Sequence, residues 1–193
     1  MPRRVFDLLV SLAGAVLVVV LLVAGGLLMW GASFAESNVH SQLARQEIYF
    51  PPAAAFAHAK PGTEFTPGMI PYLKPYAGKE LLTGPEAEAY ADHFIAVHLY
   101  EMPYHGVYAK ISAAARAEPN NPALKALEQV SFLGTTLQGL LLEAYAFATI
   151  GEVMFWGSIA SFVLAFVLAV LVALGIRHAG RVPPTERVFD ATS

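Results

Sequence analysis

The sequence predicts an all-α membrane protein: two transmembrane helices, an extracytoplasmic helical bundle between them, and a last helix continuous with the second span. Three observations predict it. The 193 residues are 56 % hydrophobic and only 14 % charged, with a mean hydropathy of +0.52, which is too apolar for an ordinary soluble domain of this length. The excess sits in two runs free of Lys, Arg, Asp, Glu and His, Leu8 to Trp30 and Val153 to Ile176. The residues between them carry proline punctuation and helical periodicity, with no alternating strand pattern.

Each run exceeds the roughly 20 residues that a helix rising about 1.5 Å per residue needs to cross a hydrocarbon core of about 30 Å. Residues 1–7 are then an N-terminal tail, 8–30 the first span, 31–152 an outer domain, 153–176 the second span and 177–193 a C-terminal tail. The first run is far longer than the roughly 7 to 15 apolar residues of a cleaved signal, so it reads as a retained anchor. Arg3 and Arg4 precede the first span and Arg177 and Arg181 follow the second. Basic residues close to the membrane ends stay on the cytoplasmic side, which places both termini inside and the middle outside a plasma membrane. Trp30 and Trp156 then fall at the outer interface, where indoles prefer to sit.

In the outer domain, Ala35, Val39 and Leu43 continue the first helix at helical spacing until "YFPP", where Pro51 and Pro52 stop it. Residues 51–83 form a Pro-rich wrap whose Phe56, Phe65, Ile70, Tyr72, Leu73 and Tyr76 supply apolar surface to bury. Thr83 and Glu86 have capping-box spacing with Pro85 in the first turn, which starts a helix running to Met102, where Pro103 and Gly106 end it. Shorter helices are expected at 106–117 and 122–133, the latter capped by Asn121, with a break at "GTT" before a final helix from Thr136. From Leu137 to Ile176 the only charges are Glu143 and Glu152, so that helix is expected to run from the outer domain through the membrane.

Candidate chemistry is sparse. Three of the six histidines fall between residues 89 and 106. On a regular helix His93 and His98 stand about 140° apart and do not chelate one ion. His98 and Glu101 share a face, and His105 lies just past Pro103, so these three are the candidate metal cluster, a ligand set that iron or zinc accepts. No H-E-x-x-H spacing, nucleophile elbow or phosphate loop supports catalysis, and no catalytic, cofactor-binding or metal residue is assigned. The absence of cysteine leaves the outer domain to be held by packing, and the absence of an N-x-[ST] sequon agrees with a bacterial envelope protein. A net charge of −3 without a basic run argues against nucleic acid. Gly157, Ser161, Ala165, Ala169 and Ala173 recur every fourth residue and offer a small-residue stripe to the first span, a second copy or another subunit.

The segments "IYFPP", "YAGKELLTGPEAEAYADHFIAVHL" and "GLLLEAYAF", set between two spans, resemble an uncharacterised family of bacterial two-pass membrane proteins from high-GC genomes. The resemblance implies a helical extracytoplasmic domain over nearly the whole chain and carries across no functional residue. The expected role is that of a non-enzymatic accessory, assembly or scaffold subunit in contact with membrane lipid and acting through its outer domain. The alternatives are an outer domain that binds or senses a small apolar ligand, and a metal-dependent enzyme.

Overall fold

The computed structural model describes residues 1–183 and 186–188; the rest of the expected C-terminal tail lies outside the described residues. Every regular element among them is helical: α1 Arg3–Ala44, α2 Ile70–Leu73, α3 Gly84–Tyr90, α4 Ala96–Glu101, α5 Tyr108–Ala117 and α6 Pro122–Ala179, with short 3-10 turns and one π turn between some of them. Both α1 and α6 are long and apolar enough to cross a membrane. The chain divides into two units, residues 1–33 with 151–193, and residues 34–150.

In the first unit the two apolar helices pack antiparallel, so residue numbers rise along one as they fall along the other. A side chain at Gly14 would meet Val172, one at Gly25 would meet Phe162, and one at Gly157 would meet Leu28. The two backbones approach so closely because these positions carry no Cβ. A Cβ on Gly14 would stand 2.7 Å from Val172 Cγ2, a branched carbon with little room to move.

The covered positions on α6, among them Ser158, Ser161, Ala165, Leu168, Val172 and Gly175, repeat with alternating steps of three and four. Ser11, Gly14, Val18, Leu21, Gly25 and Leu28 do the same on α1. This is the heptad seam of left-handed helix pairs. The every-fourth-residue stripe departs from this seam, because its members drift about 40° round the helix at each step. Gly157, Ser161 and Ala165 are at least partly covered, whereas Ala169 and Ala173 are exposed. The seam serines satisfy themselves within the helix: Ser158 Oγ donates to Phe155 O at 2.7 Å and Ser161 Oγ to Gly157 O at 2.9 Å. The two tails are clasped as well. Pro2 and Arg187 form an antiparallel bridge, Val188 N donates to Met1 O, and the Arg3 guanidinium pairs with Glu186 at 2.5 Å.

In the second unit, the chain leaves α1 earlier than "YFPP" requires. The helix ends at Ala44, and Glu47 turns the backbone with φ 50°. This early stop frees Ile48 to Pro51 to pair across the far end of the wrap: Leu81 N donates to Ile48 O, Phe50 N to Lys79 O and Gly78 N to Pro51 O. The wrap is therefore a loop closed at its base. Its Phe56, Met69, Leu73 and Leu81 are buried with Val39, Leu43, Ala87, Ile95 and Leu141 in one core.

Helix α3 starts at the expected capping box, with Glu86 Oε2 accepting from Leu82 N and Thr83 N at 2.9 Å each. Gly84 lets that start press on α6, because a Cβ there would collide with Ala148. Asn121 Oδ1 caps α6 by accepting from Ala123 N and Leu124 N. The expected break at "GTT" does not occur, since residues 134–136 are helical. Gly134 is a notch that receives Leu99, whose Cδ2 would lie 2.8 Å from an added Cβ. A single glycine costs a helix only about 1 kcal/mol, which this contact offsets.

Leu73 is fully buried at the centre of the wrap. Leu73→Ala is expected to destabilise the protein by about 2–5 kcal/mol, whereas Lys74→Ala next to it, exposed to solvent, should stay within about 0.5 kcal/mol. Chemical unfolding of the two purified variants in mild detergent measures both.

Candidate functional site

The helix expected over 84–102 forms, but not as a regular cylinder. Between α3 and α4 the residues Ala91–Ile95 make one π turn. The wider turn changes the angular spacing assumed for a regular helix between His93 and His98. Tyr90, Phe94 and His98, four residues apart, form a row of mutually tilted rings with centroids 4.7 Å and 4.4 Å apart. Rings of the wrap close on this row. Phe65 meets Phe94 at 5.9 Å, Phe56 meets Phe65 edge-on at 5.4 Å, and Phe50 meets Tyr90 edge-on at 5.5 Å. Tyr72 lies flat on His93 with centroids 3.4 Å apart. Such pairs each add about 0.5–1.5 kcal/mol beyond the area they bury, so the wrap is fastened by its aromatics.

The candidate cluster of His98, Glu101 and His105 is not brought together as a metal site. His98 is turned inward, with Nδ1 2.7 Å from Phe94 O. His105 stacks on Tyr100 at 4.5 Å, with Nδ1 3.2 Å from Tyr100 O. Among the described residues no three His, Asp or Glu side chains gather as a metal would require.

The segment "PYHG" carries a feature that sequence reasoning missed. Tyr104, His105 and Gly106 are successive left-handed residues with φ of 59°, 55° and 65°. Glycine adopts this freely, whereas Tyr104 and His105 do so against steric cost. At Gly106 there is no alternative, because a Cβ would strike the Leu99 carbonyl. The turn is anchored by Ser131, whose buried hydroxyl donates to Gly106 O at 2.8 Å. Its effect is to present rings outward. Tyr100 is 65 % exposed, and Tyr104, Val107, Tyr108, Phe132 and Leu133 are also exposed. Tyr108 touches Phe132 across α5 and α6 at 5.6 Å. An apolar, tyrosine-rich patch therefore covers the α4–α5–α6 end of this unit.

Two cavities lie elsewhere in the same unit. One of about 550 Å³ is lined by Phe34, Asn38, Val39 and Gln42 of α1 with Leu140, Glu143 and Phe147 of α6. The other, of about 470 Å³, lies on the wrap, between Pro67, Ile70, Pro71, Lys74 and Pro75. No family model, curated protein or solved structure matches the chain.

Tyr90, the last residue of α3, is partly buried. Burial first, and the Glu64 carboxylate second, push its hydroxyl above the ordinary value of 10.0. The folded state thus holds this proton more tightly than the unfolded chain. The stability that follows is fully present below pH 10.0 and is lost as pH rises through the folded value. Tyr90→Phe is expected to remove this part of the alkaline loss. Thermal midpoints of wild type and variant between neutral and strongly alkaline pH should therefore converge or cross at the alkaline end.

Proposed function

We propose that this chain is a two-pass plasma-membrane protein of the bacterial type it resembles, with both termini cytoplasmic and residues 31–152 extracytoplasmic. In this reading it serves as a non-enzymatic accessory, assembly or scaffold subunit that works by binding. Membrane insertion is supported by what the two apolar helices leave uncovered. Phe166 is 71 % exposed, and Leu12, Val19, Leu27 and Val163 are each more than half exposed. A contiguous surface of this kind is unfavourable in water and suited to hydrocarbon. At about 1.5 Å per residue the 58 residues of α6 measure about 87 Å, against a bilayer core of about 30 Å. One helix thus has length both to cross the lipid and to contribute a wall to the outer unit.

The observation that carries the binding role is the tyrosine-rich patch of Tyr100, Tyr104, Tyr108, Phe132 and Leu133. Large rings held on a strained but anchored backbone lose little freedom on association, and tyrosine is enriched among the residues that dominate interface energy. A second reading, binding of a small apolar ligand, draws support from the cavity of about 550 Å³ between α1 and α6. Its size is that of a ligand pocket and its walls combine Val39, Leu140 and Phe147 with the polar ends of Asn38 and Gln42. The wrap's Phe56, Phe65 and Tyr72 are engaged in ring contacts with one another and with Phe94 and His93.

All five lysines lie between residues 60 and 125, and Lys74, Lys79 and Lys110 are exposed. An impermeant amine reagent applied to intact cells is expected to label them; labelling only after lysis would reverse the orientation. Mild-detergent purification of the tagged protein is expected to bring down a reproducible partner. Tyr100→Ala and Tyr108→Ala should each weaken that complex by about 2 kcal/mol, as hot-spot tyrosines do, while losing no more than about 0.5–1.5 kcal/mol of folding stability with the ring contact each makes to His105 or Phe132. Recovery of a lone monomer would favour the ligand reading instead.

A further inference from the structure

Asp7 precedes the first apolar run by one residue and stands at the end of the heptad seam, one helical turn before Ser11. Its Oδ2 is buried and has no hydrogen-bond partner. The neighbouring guanidinium does not supply one, because Arg3 is paired with Glu186. A buried carboxylate oxygen without a donor is unfavourable, which leaves Asp7 in want of a donor on the side of its carboxylate that borders open space.

The space in front of it defines that donor. A groove of about 520 Å³ runs along the first unit, with Asp7, Ser11 and His178 at its polar end and Val10, Leu168 and Leu171 along its length. Val10 and Leu171 are more than half exposed, so the groove opens onto the apolar outer face of the helix pair. A hydrated divalent cation fits poorly, since it takes about six oxygen ligands and this groove offers one carboxylate and one hydroxyl. What matches is a molecule with a hydrogen-bond-donating cation at one end and a hydrocarbon chain at the other.

We propose that this groove is a binding site for an amine-bearing phospholipid such as phosphatidylethanolamine, an inference that rests on the reading of α1 and α6 as membrane spans. The headgroup ammonium donates to the Asp7 carboxylate where it borders the groove, the headgroup phosphate accepts from the His178 ring N–H, and an acyl chain lies along Val10, Leu168 and Leu171. Recognition depends on the N–H donors, which distinguishes an ethanolamine headgroup from its trimethylated counterpart of equal charge.

The test uses the full chain purified in mixed micelles holding equal amounts of phosphatidylethanolamine, phosphatidylcholine and phosphatidylglycerol with identical acyl chains. Retained lipid is counted by mass spectrometry. Wild type is expected to retain the ethanolamine lipid about tenfold over the choline lipid, the scale of one charge-assisted hydrogen bond, and Asp7→Asn to bring that ratio close to one. Equal retention of the two by wild type would overturn the proposal, and this comparison needs no variant to fold. An undiminished preference in Asp7→Asn would overturn it too. Retention of no lipid at all would count against the membrane reading itself, a result distinct from retention without preference.

Discussion

The closeness of the two apolar helices is the constraint on which the rest depends. On the membrane reading proposed above, no hydrophobic force draws the two apolar helices together, because hydrocarbon is as apolar as their side chains, and association comes from packing. Packing at short range needs positions without side-chain volume, and Gly14, Gly25, Gly157 and Gly175 supply them along both helices. The seam's 3.5-residue repeat keeps those positions on the shared face over its whole length, where a four-residue repeat would carry them away from it. A pair held in this register also brings the tails together, which allows the bridge between Pro2 and Arg187.

The second unit meets a different problem, that of folding without disulfides. Its solution is a closed loop of aromatics. The pairing of Ile48 to Pro51 with Gly78 to Leu81 fixes the two ends of the wrap, which confines the conformational freedom of the 26 or so residues between them before any ring is placed. Phe65 and Tyr72 then meet Phe94 and His93 of the π turn, Tyr76 meets Phe50 of the segment after α1, and Phe56 packs on Phe65 within the wrap. Closure at the base and stacking along the length reinforce one another, because each reduces the entropy that the other must overcome.

Much of this was legible in the sequence, for reasons that separate local from tertiary causes. The two apolar runs, the Thr83–Glu86 capping box and the Asn121 cap are written in adjacent residues, and the structure has them where their spacing places them. The features that were not legible depend on a distant contact. Gly134 looks like a breaker until Leu99 fills it. The end of α1 at Ala44 is set by the wrap that Ile48 must pair with, not by Pro51. Nothing in "ADHFI" announces a π turn, since each of its residues is an ordinary helix former or neutral. The histidine cluster failed for the same reason: His98 and His105 each have a closer partner, Phe94 and Tyr100, that helical-wheel geometry does not weigh.

The irregular backbone lies close to the exposed rings, and the two have one cause. A regular helix continued from Gly84 would set Tyr100, Tyr104 and Tyr108 on one face, but Pro103 stops it, so their display depends on the turn that follows. The partly buried row of Tyr90, Phe94 and His98 runs across the π turn, and the left-handed turn at Tyr104 to Gly106 redirects the chain within three residues. Two non-glycine residues in that conformation cost on the order of 1–3 kcal/mol each, and the buried Ser131 bond to Gly106 with the Leu99 contact on Gly134 supports them from beneath. Strain is thus held where the surface is apolar and aromatic and is relieved nowhere by a solvent-facing glycine or asparagine at Tyr104 or His105. A loop whose only task was to connect α4 to α5 would gain stability from such a substitution, which is why the rings it displays are the natural place to look for what this unit holds.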